Sequence, residues 1–156
     1  MAREVMRRRA ADNPYLHPDF HGALSCGLEY LHVHFGEAAV RRYLRDFTLS
    51  FYAPLREELG RRGLAALKEH YERTYRAEGG DLSCELSADE LVVRAESSPA
   101  VTHMHQQGYP VARLFGETVA TVASALCEGT EYEAELLAYD PDTGGSALRF
   151  RRRGAA

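Results

Sequence analysis

Seven histidines and three cysteines are the residues of this 156-residue chain best suited to chemistry. His17 and His21 stand four apart, a spacing that on a helix turns two imidazoles toward one metal ion. Pro18 between them works against a regular helix there. His32 and His34 are two apart, as are His103 and His105. Within a helix each such pair diverges by about 200° and cannot share an ion, whereas an extended 103–105 segment would put its pair on one face. The sequence has no HExxH, no CxxC and no aspartate-rich loop. A divalent transition metal would therefore be gathered from separate elements, by His17, His21 and His103.

Each cysteine has a structural role open to it. Cys26 adjoins Gly27, a small pair that lets another element approach closely. Cys84 falls on the apolar side of an alternating segment and suits a core. Cys127 closes a helical stretch, where the helix dipole raises a thiol pKa rather than lowering it. None has an activating neighbour in sequence, so none reads as a nucleophile. Arg113 and Glu117 are i, i+4 in a segment whose period predicts a long helix from Pro110 to about Cys127. They suit an exposed helix ion pair. The alternative is a charged pair at the lip of a pocket, with Arg113 holding a carboxylate.

These groups must be positioned by elements that the hydrophobic period marks out. Residues 1–13 read as a polar, Arg-rich arm, and 14–153 as one α+β domain. From His21 a helical stripe of Leu24, Leu28, Leu31 and Phe35 runs inward until Gly36. Val40, Tyr43, Leu44, Phe47 and Phe51 continue the stripe on a second helix. A third helix starts at Pro54 and breaks between Gly60 and Gly63, and a fourth ends at Gly79-Gly80. The period then becomes two: Leu82, Cys84 and Leu86 share one strand face, and Leu91 to Glu96 forms the partner strand. Ser98-Pro99 opens a short helix that Gly108 closes. After the long helix, a second hairpin pairs about 130–139 with 147–152. The expected fold is N-terminal helices, then two hairpins in one antiparallel sheet, with the two intervening helices packed on one face.

Bulk properties exclude several function classes. The net charge is −4 and the pI near 6.0, so no global field draws the chain to nucleic acid or an anionic membrane. No apolar run approaches membrane-spanning length. Glu131, Glu133 and Glu135 alternate on one strand, and Arg149, Arg151 and Arg153 on its partner. Facing one another, they need no phosphate ligand. The odd, scattered cysteines suit a reducing compartment, and the cytoplasm is expected.

The C-terminal half also carries a resemblance. A strand ending in Ser97-Ser98-Pro99-Ala100, then Gly108-Tyr109-Pro110-Val111, Glu128-Gly129-Thr130 and a closing Arg149-Phe150 follow one another in order. This order, with Phe35-Gly36-Glu37-Ala38 upstream, resembles the 4-vinyl reductase domain and the L-2-amino-thiazoline-4-carboxylic acid hydrolase-like proteins across most of residues 22–151. The resemblance implies a pocket between helices and sheet for a small, often hydrophobic ligand. The former family carries further cysteines near its C-terminal strands. This chain has none after Cys127, which argues against a cysteine-dependent metal or redox role.

The expectation is thus a small-molecule-binding domain of the sensor or carrier type, with Tyr109, Arg113, His103 and His105 lining an apolar pocket. The alternative is a metal-assisted hydrolase of a small heterocycle or amide, with His103 or Glu117 as general base. A purely structural subunit, a homodimer through the aromatic second helix (Tyr43, Phe47, Phe51, Tyr52), is the third reading.

Overall fold

A computed structural model describes residues 18–154. The 1–13 arm and His17 therefore lie outside the described residues. Four helices come first: α1 (Asp19–Phe35), α2 (Glu37–Phe51), α3 (Ala53–Arg62) and α4 (Leu64–Ala77). Strands β1 (Ser83–Leu86) and β2 (Glu90–Ala95) follow, then α5 (Pro99–Gln107), α6 (Glu117–Cys127), β3 (Tyr132–Tyr139) and β4 (Ser146–Arg152). Gly36 and Gly63 separate the first and third helix junctions at φ of 86° and 66°. A Cβ disfavours that backbone region, so the chain turns at glycine.

The sheet is antiparallel in the order β1-β2-β4-β3, so the two hairpins meet along β2 and β4. The expected α+β class is what the chain forms. On one sheet face, Leu91, Val93, Leu148, Phe150 and Tyr132 pack with Leu59, Leu64 and Leu67 from α3 and α4 and with Leu126 and Cys127 from α6. On the other face Glu133 stands opposite Arg151 and Glu135 opposite Arg149, each pair salt-bridged. The charge ladder read from the alternation is present, and these arginines are engaged within the sheet.

A second core lies to one side, among helices. Leu28 of α1, Val40 and Leu44 of α2, Val101 and Met104 of α5, and Phe115 form it, and Val122 of α6 touches both cores. Of the two helices between the hairpins, α6 covers the sheet while α5 packs chiefly on α1. Among the described residues no helix is long and apolar enough to cross a membrane.

Three expectations are corrected. Phe35 and Phe51 are each 65% exposed, and Tyr43 is exposed too. The buried line of α2 runs instead through Val40, Leu44 and Thr48 at i, i+4 and i+8. The Thr48 hydroxyl donates to the Leu44 carbonyl at 2.7 Å, which satisfies it without water. The largest correction concerns 109–116: α6 begins at Glu117, and residues 109–112 are not helical. The reason is Ser25, fully buried on α1. Its hydroxyl donates to the Pro110 carbonyl at 2.9 Å and accepts the Ala112 amide at 2.8 Å. The Arg113 amide donates to Glu29 at 3.1 Å. Backbone groups that a helix would have paired internally are paired across to α1 instead.

Candidate functional site

The N-terminal turn of α1, the end of α4 and the exposed edge of α5 come together beside Tyr109. Pro18 does not prevent a helix. It sits at the N-terminal boundary of α1, so His21 falls one half-turn inside it. Gly22 then leaves room for Tyr109, since a Cβ there would lie 2.8 Å from the Tyr109 ring.

Two imidazole–carboxylate pairs result. His103 Nε2 is 3.0 Å from Asp19 Oδ1, and the Tyr109 hydroxyl donates to that same oxygen at 3.3 Å. The Asp19 charge, more than burial, raises the Tyr109 phenol above its ordinary pKa. His21 Nε2 is 3.3 Å from Glu78 Oε2, with both side chains largely buried. Between the pairs opens a cleft of about 390 Å³, walled by His21, Glu78, Asp81, Pro99, Thr102, His103 and Gln106. Among the described residues its walls hold two carboxylates and two imidazoles, and neither lysine nor arginine. Such a lining offers acceptors to a ligand rich in N–H groups, and its carboxylates favour positive charge.

The other sequence-selected residues lie apart from it. Because 113–116 is a turn, Arg113 and Glu117 are not a helix pair, and each has another partner. Arg113 reaches Glu29 of α1 at 2.9 Å, and its amide and guanidinium hold the Glu29 carboxyl below the usual carboxylate range. Glu117 accepts from Arg41 of α2 at 3.1 Å. His105 is exposed on another face of α5 from His103, as a helical 103–105 segment requires. Of the three suggested metal ligands, His21 and His103 share the cleft and His17 is outside the described residues. Among the described residues no group of three or more His, Cys, Asp or Glu is placed to hold a metal ion.

The space between α6 and the sheet, where an apolar chamber was expected, is occupied by Leu126, Cys127, Leu148 and Phe150. All three cysteines are free. Burial pushes the Cys127 thiol up to about 11. In a separate cleft between α3 and α4, burial followed by the Arg73 charge depresses His70 to about 4, and its ring stands edge-on to Tyr52.

Sequence reasoning missed Asp19, Glu78 and Ser25. Asp19 had a signal, an acid directly after a proline at a helix start. Glu78 and Ser25 had none, because their partners lie far along the chain. No protein-family model matches this chain, and no curated protein matches its sequence.

Proposed function

We propose that this protein binds a small molecule, as a sensor or carrier, in the cleft between His21 and His103. One observation carries the reading: His21 and His103, each held by a carboxylate, line one small cleft with Glu78 and Asp81, and the described residues place no lysine or arginine in its walls. The ligand class that fits is a compact, N–H-rich molecule such as an amino-substituted heterocycle. Its donors pair with the Glu78 and Asp81 carboxylates, and the imidazoles supply acceptors or donors as the tautomer allows. Free cysteines suit a cytoplasmic setting.

A second reading has one observation in its favour. His103 is held by Asp19, as a general base is held by an orienting carboxylate, so hydrolysis of a small heterocyclic amide is the alternative. Isothermal titration and thermal unfolding against a panel of amino-heterocycles test the main reading. Saturable stabilisation of the wild type, lost in both His21→Ala and His103→Ala, supports it. Stabilisation that survives both substitutions sinks it. Product formation from a cyclic amide, abolished by His103→Ala, would move the assignment to the enzyme.

A further inference from the structure

The Cys26-Gly27 pair, read from sequence as a place of close approach, is covered by no other element among the described residues. Cys26 is exposed, and a Cβ built on Gly27 would meet no atom within 4 Å. The pair lies in the middle of one continuous exposed face of α1, formed by Asp19, Phe20, Ala23, Cys26, Gly27, Tyr30, Val33 and His34. Phe20 is 43% exposed, Tyr30 58% and Val33 60%. Only Asp19 and Glu29 are acidic in α1, and both are tied into their own protomer by His103 and Arg113. A helix this apolar on all sides is ordinarily covered on all sides.

We infer that this face of α1 is covered by the same face of a second copy, antiparallel about a two-fold axis between Cys26 and Gly27. The residues fit themselves in that arrangement. Cys26 meets the partner subunit's Gly27, Ala23 meets the partner subunit's Tyr30, and Phe20 meets the partner subunit's Val33. Large side chains thus meet small or apolar ones throughout. Antiparallel helix dipoles also oppose one another. An isologous contact requires this kind of self-complementarity.

The area suffices for a modest dimer. Phe20, Tyr30 and Val33 together expose roughly 300 Å² per protomer, taking about 150–250 Å² for a whole large side chain. Beside them runs an apolar cleft of about 530 Å³ between α1 and residues 110–113, which a second helix would fill. With the other exposed residues of the face added (Asp19, Ala23, Cys26, Gly27 and His34), the contact comes to at most about 600 Å² per partner, the lower range for specific association. The inference does not depend on the function proposed for the His21–His103 cleft.

Sedimentation velocity on the full chain across the micromolar range tests this. A monomer–dimer equilibrium is expected, weakened about tenfold or more by Tyr30→Arg and by Val33→Glu. Both positions are exposed, and circular dichroism with an unchanged unfolding midpoint checks that each variant folds. A short bismaleimide should join wild-type chains through Cys26, and Cys26→Ser should remove the product. A monomer at every concentration overturns the inference. So does a dimer insensitive to both substitutions and lacking the Cys26 cross-link, since that would place the contact elsewhere, such as Tyr43 and Phe51 of α2.

Discussion

Ser25 and Ala112 are 87 positions apart in sequence, yet the Ser25 hydroxyl accepts the Ala112 amide at 2.8 Å while donating to Pro110 at 2.9 Å. One buried side chain thus satisfies both backbone groups of a non-helical segment and docks it on α1. Ser25→Ala leaves an amide and a carbonyl without partners. Each such group costs about 1–3 kcal/mol, so a loss of roughly 3 kcal/mol is expected. For a chain of this length that is a fall of about 6–12 °C in Tm. Calorimetry or urea unfolding measures it, and a change below about 0.5 kcal/mol would refute the role given to Ser25.

His70 makes stability depend on pH. The unfolded imidazole takes up a proton near pH 6.5 and the folded one only near 4. Lowering the pH through that window therefore feeds protons to the unfolded state, and stability falls. Above pH 6.5 the contribution is fully present. Its full extent is on the order of 3 kcal/mol, at about 1.4 kcal/mol per pKa unit. His70→Phe should flatten this part of the profile. If urea midpoints of wild type and variant fall in parallel between neutral pH and about pH 4.5, His70 is not the titrating group.

The three thiols should react at separate rates. Cys26 is exposed, Cys84 half-buried, and Cys127 both buried and raised to about 11. A disulfide reagent should modify Cys26 first, then Cys84, and Cys127 only with unfolding, because attack requires an accessible thiolate. Mass spectrometry of partly labelled protein reads the order. Early labelling of Cys127 would contradict its burial.

Gly144 fixes the β3–β4 loop against the start of α5. Its φ is +68°, and a Cβ there would lie 2.6 Å from both the Ser98 Cβ and the Val101 Cγ2. Gly144→Ala combines backbone strain with overpacking, for a loss of roughly 3 kcal/mol. Denaturant unfolding checks this. A near-neutral result would mean that the loop moves off α5 at little cost.

What could be read from the sequence was what neighbours in the chain determine. The strand alternation gave the hairpins, Gly36 and Gly63 gave the helix ends, and facing Glu and Arg residues gave the ladder of β3 and β4. The segment after Pro110 misled because its apolar spacing suits a helix, while the competing partner, Ser25, lies in another element. Phe35, Tyr43 and Phe51 misled because apolar type does not tell which side of a helix another element will cover. His21 and His103 were legible as chemistry, but their carboxylates were not. Asp19 pairs with a residue 84 positions away, a contact that only the folded arrangement of α1 on α5 creates.

The bridging position of Val122 suggests how an occupied cleft would be felt elsewhere. The α1–α5 pair packs away from the sheet and is joined to it through α2 and α6, so it can open as its own unit while the strands stay protected from hydrogen exchange. A molecule clasped between α1, α4 and α5 ties that unit shut. Such a chain could report occupancy by quieting local breathing rather than by changing shape.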